Sequence, residues 1–272
     1  MRTTAVYRVL YGEDFIEKSI RSLYDHVDEM VVFWADRPWG DPKSVMYKGD
    51  EIRLFYPFDG ILERLYKLQE SMPKLKVIYD YFPTPKGQHQ HLVELLPTST
   101  DIVVFMEPDM VFAPDNFRTI LEYFLRQDIP ILPARVLACR QIELWKNYNW
   151  KIPFRDRPGP IFYNLNEYSD KKLPDTQFNG LPVNEAVCTH QIYTYNFGFC
   201  MSSDAMYWKH LTALAFSKII GDSQPAEGWY EEKWMNWNPE TTDLEISEKH
   251  RHLIPKAEPF QMSKAMKEYM DG

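Results

Sequence analysis

VVFMEPDMVF, residues 103–112, runs an apolar strand straight into two carboxylates. Ile102 to Phe105 are apolar, as a strand buried on both faces requires. A carboxylate at the end of such a strand must be solvated, paired or bound to a cation. Glu107 and Asp109 are two residues apart, so in extended chain they project to the same side, with Pro108 fixing the turn between them. That spacing suits a divalent metal; two acids that cap a loop or pair with Lys or Arg are the alternative.

Outward from this strand the first half of the chain alternates. Thr4–Tyr11 reads as a strand, Phe15–His26 as a helix with apolar residues near helical spacing, and Glu29–Ala35 as a second buried strand. Ile52–Tyr56 reads as a short third strand, Gly60–Ser71 as a helix and Lys76–Tyr81 as another strand. Gly87–Leu96 reads as a helix, Asp101–Met106 as the strand in question, and Pro114–Arg126 as the helix after it. This alternation predicts an α/β fold with a mostly parallel central sheet flanked by helices. Ligands bind such sheets at the carboxyl ends of the strands, and Tyr11-Gly12, Asp36 and Glu107/Asp109 all fall on that edge. Residues 130–195 are rich in Pro, Trp and Tyr without clear periodicity and read as the strands and loops of an aromatic-rich insertion. A short strand (Tyr193–Met201), a helix (Asp204–Ile219), a helix beginning near Glu231, a last strand around Leu244–Ile254 and a polar tail complete the expectation.

Composition sets the outer limits. The 272 residues, 44% of them apolar, suffice for one large domain with a substantial core. Aromatics reach 15%, with 8 Trp and 17 Tyr; flat amphipathic rings in such numbers line sites for sugars, bases or peptides, or fill an aromatic core. A net charge of −8 argues against coating nucleic acid or an anionic membrane by bulk electrostatics. Cys139, Cys188 and Cys200 are widely spaced and form no C-x-x-C, which speaks against a thiolate zinc site and a disulfide framework. A soluble chain in a reducing, cytoplasmic compartment is expected, since no signal-like or membrane-spanning apolar run occurs.

The order of these features resembles the glycosyltransferases of the GT-A fold, family 2-like. Glu107-Pro108-Asp109 matches the metal-binding D-x-D that this family places after a buried strand, with Glu in place of the first Asp. Gly87-Gln88-His89 is similar to the start of the preceding helix, close to the nucleotide. Asn196 through Gly198, the helix 204–219, and the run from Gly228 through Glu231, Glu232 and Trp234 reproduce the glycine-bearing strand, helix and acidic pair. The likeness covers roughly residues 4–110 and 190–254. It implies a nucleotide-binding half over residues 1–127, an insertion or lid over 128–195, and an acceptor half with a tail over 196–272, within one catalytic domain.

The resemblance also implies chemistry. A nucleotide-sugar donor, a UDP-sugar, would be held with Mn²⁺ or Mg²⁺ on its diphosphate, and an acceptor hydroxyl would be activated by a base. Asp109 is then the direct metal ligand and Glu107 a direct or water-mediated one. His252 or His250 is a late-chain ligand, on a strand where i and i+2 share a face; the alternative is a charged surface run. His89 and His91 cannot share an ion on a helix, where i and i+2 lie about 200° apart. Within the acidic pair Glu232 is the expected base and Glu231 the close second, with two first-turn acids of a helix as the plain reading. Tyr11, Gly12, Asp36, Gly87, Gln88, Asn196 and Gly198 are the expected nucleotide and sugar contacts.

Residues 135–157 set six Lys/Arg against Glu143 and Asp156 and interleave Trp145, Tyr148, Trp150 and Phe154. Basic charge with rings serves single-stranded or flipped nucleic acid, a polysaccharide groove, or a lid packed by its own aromatics. The acceptor is accordingly a glycan or a hydroxymethylated base in DNA, the latter a substrate of viral glycosyltransferases similar to this family. Two rivals stand beside this reading. One is a nucleotidyltransferase, whose glycine-rich basic loop after the first strand is missing from YGEDF. The other is a non-catalytic carbohydrate-binding protein on a transferase scaffold.

Overall fold

The structure, a computed structural model, describes residues 1–85, 88–113, 136–153, 158–173, 186–220, 226–240, 243–244 and 256–272. Strands β1 (Thr3–Val9), β2 (Glu29–Trp34), β5 (Leu75–Tyr79) and β6 (Ile102–Met106) pair in parallel in the order β5-β2-β1-β6. Helices α1 (Ile16–Tyr24), α2 (Ile61–Ser71) and α3 (Gln88–Glu94) lie on the connections between them. The α/β class is the one the alternation predicts.

Period-two alternation explains why both faces of this block are covered. Ala5, Tyr7 and Val9 of β1, Met30 and Val32 of β2, and Val104 and Met106 of β6 join one buried cluster with Ile16, Ile20 and Leu23 of α1 and Leu65 of α2. Val6, Val31, Phe33, Val103 and Phe105 point the other way and pack with Leu92 and Val93 of α3. Burying each such side chain contributes ~1.5–3 kcal/mol.

The second half completes the same sheet instead of sitting over it as a lid. β8 (Val136–Trp145), β9 (Asn147–Lys151), β10 (Pro158–Asn164) and the short β12 (Glu258–Pro259) extend it to the order β12-β9-β8-β10-β6-β1-β2-β5, with β10 antiparallel to β6. The 14-residue β11 (Ala186–Phe199) runs parallel to β8 and antiparallel to β7 (Met110–Phe112). Its length exceeds the short strand expected at Tyr193–Met201. Trp145, Tyr195, Phe197, Trp229, Tyr230 and Trp234 form a second, aromatic core. Much of the aromatic excess therefore fills an interior.

Two more expectations need correction. β4 (Asp50–Arg53) does not join the main sheet; it pairs with β3 (Ser44–Tyr47) as a separate hairpin. Val45 and Tyr47 of that hairpin bury against Leu211, Leu214 and Ala215 of α4 (Ser203–Ile220). The polar tail is built as β12 (Glu258–Pro259) and α5 (Lys264–Asp271), where Ser263 caps the Met266 amide and Met266 and Met270 are buried. Beginning at Tyr230, residues Tyr230–Met235 form a π-helical turn. The helix expected at Pro114–Arg126 and most of the strand expected at Leu244–Ile254 lie outside the described residues.

Candidate active site at the ends of β1 and β6

In the parallel block the chain leaves β1 toward β2 on one side and reaches β6 on the other, so the topological switch point lies between β1 and β6. Open α/β sheets bind ligands there. The two strand ends are locked against each other. Glu107 to Met110 is a tight turn, with the Met110 amide donating to the Glu107 carbonyl at 3.1 Å. Gly12 has φ +124°, and a Cβ there would lie 2.8 Å from two ring carbons of Pro108. Only glycine allows both the dihedral and the approach.

Asp109 is 5% exposed, and its Oδ2 lies 3.5 Å from the Lys209 ammonium on α4. Lys209 also donates to the Gly198 carbonyl at 2.9 Å and sits over the Phe199 and Tyr11 rings at 5.5 and 5.9 Å. Burial alone would lower its pKa, but Tyr11, Asp109 and Glu107 outweigh that and raise it, so the ammonium stays charged. Gly198 has to be small: a Cβ would meet Asp109 Oδ2 at 2.7 Å and Lys209 Nζ at 2.8 Å. Asp109 Oδ1 is buried with no hydrogen-bond partner among the described residues.

Glu107 pairs with Arg8 at 3.4 Å, and Arg8 donates to the Gln88 side chain at 3.4 Å. Burial pushes the Arg8 guanidinium below its ordinary value, and Glu107 partly restores it. All of these groups line one cavity of about 390 Å³, within the range of ligand sites. Arg8, Glu107, Asp109 and Lys209 form a charged corner; Phe33, Trp39, Phe82 and Phe216 supply an aromatic wall, with the Trp39 and Phe216 rings 5.1 Å apart.

The sequence-expected residues divide. Tyr11, Gln88, Glu107 and Asp109 line the cavity. Asp36 does not: its carboxylate is taken by Arg37 at 2.8 Å and the Tyr79 hydroxyl at 3.0 Å, and Arg37 is the lining residue. The Gly12 amide is committed to Asp59 Oδ2 at 2.8 Å, as is the Glu13 amide at 3.2 Å. Asn196 accepts from the Gly198 amide at 2.8 Å and shapes the strand beside Asp109. Glu231 is tied to Tyr47 and Lys48, whereas Glu232 is exposed, with its side chain folded over Gly228; neither lines the cavity. Gly87, His250 and His252 lie outside the described residues. His89 and His91 diverge on α3, His89 stacking on Phe105 and His91 pairing with Asp80.

Sequence reasoning missed Arg8, Arg37, Asp59 and Lys209. Arg8 had a signal, being the one charge inside the apolar strand TTAVYRV. Lys209 had none, because only the approach of α4 to the turn gives it a place.

A Mg²⁺ or Mn²⁺ ion takes one or two carboxylates and completes its shell from substrate phosphates and water. The partnerless Asp109 Oδ1, with Glu107 in the same cavity, fits an ion shared with a ligand. It does not make a cage by itself, since the described residues contain no group of three His, Cys, Asp or Glu able to hold a metal. Among the described residues no helix is long and apolar enough to cross a membrane.

No protein family matches the sequence, and no curated protein does. Solved structures similar to this chain include Staphylococcus aureus TarS residues 1–349 in complex with UDP-GlcNAc, at 12% identity and TM-score 0.45 over 89% of this chain and 74% of that one. HddC from Yersinia pseudotuberculosis aligns at 12% identity and TM-score 0.40, over 80% of this chain and 100% of its own. A glucose-1-phosphate thymidylyltransferase assignment from Bacillus anthracis aligns at 12% identity and TM-score 0.43, over 77% and 95%. Likeness at this level carries no argument about activity.

Proposed function

We propose that the chain is a glycosyltransferase that moves a sugar from a nucleotide-sugar donor, a UDP-sugar, to an acceptor hydroxyl. The observation that carries this reading is the cavity at the switch point, which joins an aromatic wall fit to stack a base to a charged corner fit to hold a diphosphate. A metal ion held by Asp109 and Glu107, with His252 as a further ligand, would neutralise the leaving diphosphate. Arg8 and Lys209 line the same corner and supply its positive charge. The acceptor oxygen bonds to the anomeric carbon as the bond to the diphosphate oxygen breaks, the diphosphate leaves with that electron pair, and Glu232 takes the acceptor proton. A single displacement of this kind inverts the anomeric centre. Glu232 is preferred over Glu231 because Glu231 is engaged by Tyr47 and Lys48.

Two observations support this reading. A nucleotidyltransferase would cradle phosphates on the loop after β1, yet the amides of Gly12 and Glu13 already donate to Asp59. On the acceptor side, Tyr11, Phe58 and Trp208 form a chain of ring contacts at 5.3 and 5.8 Å, ending at exposed Phe55. Such a run from cavity to surface supports stacking of an acceptor glycan. Two of the rings in 135–157 are less available for DNA bases: Trp145 is fully buried, and Trp150 packs on Trp237 at 5.2 Å.

Calorimetric titration of UDP, GDP and CDP, with Mn²⁺ and then with EDTA, tests the donor class. We expect UDP to bind most tightly and Mn²⁺ to strengthen it; failure of every nucleotide to bind would overturn the reading in favour of a carbohydrate-binding scaffold. Glu232→Gln should keep UDP affinity and lower turnover by ~100-fold or more. The same loss in Glu231→Gln instead would reverse the assignment within the pair.

A further inference from the structure

We propose that Lys209 is a diphosphate-binding residue, a cation built into the protein that lets the site hold a nucleoside diphosphate without a divalent ion. This rests on the nucleotide reading above. An ammonium carries three N–H donors. In Lys209 the Gly198 carbonyl accepts one at 2.9 Å, and Asp109 Oδ2, at 3.5 Å, lies in the direction of a second. The third has no protein acceptor among the described residues, although the side chain is only 25% exposed and lines the cavity. That N–H is open to the cavity, where a ligand oxygen can take it in place of water.

The surroundings point to an anionic ligand. Arg8 lines the same corner, and its bonds to Glu107 and Gln88, each 3.4 Å, are at the long end of hydrogen-bond geometry. A diphosphate, with more charge and more acceptor oxygens than either partner, makes shorter charge-assisted bonds with both cations. The ammonium lies within cation–π reach of the Phe199 and Tyr11 rings, and Gly198 leaves the space in which it meets Asp109. The amine therefore has a fixed position before any ligand arrives. A lysine serving only as the counter-ion of Asp109 would leave affinity for the phosphates unchanged when it is removed together with that carboxylate's charge.

The test is calorimetry of UDP against uridine in EDTA, on wild type, Lys209→Met, Lys209→Arg and the double variant Asp109→Asn/Lys209→Met. The double variant removes the buried charge that Lys209→Met leaves unpaired, so a folded protein remains to be measured. We expect wild type in EDTA to prefer UDP over uridine by about tenfold or more, the scale of a charge-assisted hydrogen bond. Both Lys209→Met proteins should keep only the part of the preference that Arg8 supplies, at least about threefold smaller than in wild type, with uridine affinity unchanged, and Lys209→Arg should recover much of the loss. Equal binding of UDP and uridine by wild type in EDTA would overturn the inference, as would a preference that survives undiminished in the double variant. If UDP binds to no protein even with Mn²⁺, the nucleotide reading falls first and takes this one with it.

Discussion

At the scale of single residues, the site depends on groups held where they would not rest by choice. Gly12 gives up its side chain so that Pro108 can approach, Asp109 is buried, and burial disfavours the charged form of Arg8. His89 belongs with them. Its ring is buried and stacks on Phe105 with centroids 4.2 Å apart, and neither nitrogen has a partner among the described residues. Burial first, and the nearby Arg8 charge second, push its pKa from 6.5 down to about 3. The sign of the stability effect follows by linkage: between those values the unfolded chain binds a proton that the folded chain refuses, so stability falls as pH drops from about 6.5 toward 3. His89→Phe keeps the stacking and removes both orphaned nitrogens, which should add ~1–2 kcal/mol at neutral pH. It should also flatten the acid limb. Urea unfolding across this pH range checks both, and an unchanged slope in the variant would sink the account.

At the scale of elements, the β3–β4 hairpin is latched to the π-helical turn. The Tyr47 hydroxyl donates to Glu231 at 2.6 Å, the Lys48 ammonium pairs with Glu231 at 3.0 Å, and the Lys48 amide donates to Glu227. Burial pushes the Glu231 carboxyl up, but Tyr47 and Lys48 outweigh it and hold it below its ordinary 4.5. A depressed carboxylate contributes stability above its unfolded pKa and loses it as pH falls through the folded value, so this latch weakens from about 4.5 downward. Tyr47→Phe should cost ~1–2 kcal/mol at pH 7, and Glu231→Gln should remove the acid dependence of the hairpin; hydrogen exchange at β3 and β4 reads both. Little of this was legible in the sequence. Glu231 stands in an acidic pair that looks catalytic, and its partner Tyr47 lies 184 residues away in the chain. Ile52–Tyr56 carries the apolar pattern of a strand, but periodicity does not say which sheet a strand joins; the packing of Val45 and Tyr47 on α4 decides that.

At the scale of the whole molecule, legibility follows burial geometry. The parallel half could be read because strands covered on both faces are continuous apolar runs, as in Ile102–Met106 and from Met30 to Trp34. The strand-end acids could be read for the same reason. The second half could not, because its core is aromatic and its strands pair across long separations, so the stretch that looks like a lid is the middle of the sheet. β10 lies between β6 and β8, with Phe162 fully buried and packed 6.2 Å from Phe112. This connection has a thermodynamic consequence. If two halves share one hydrogen-bonded sheet, neither can melt without exposing the edge and core of the other, and unfolding should be a single transition. Trp145, Trp229 and Trp234 report on the second core, while far-ultraviolet circular dichroism reports on all elements, so the two signals should coincide on heating. Phe162→Ala should cost ~3–5 kcal/mol by opening a cavity at the junction, and it should lower both midpoints together. Tryptophan and backbone transitions that separate by several degrees would instead mark two units that fold independently, and β10 would then be a contact between them rather than the strand that makes them one.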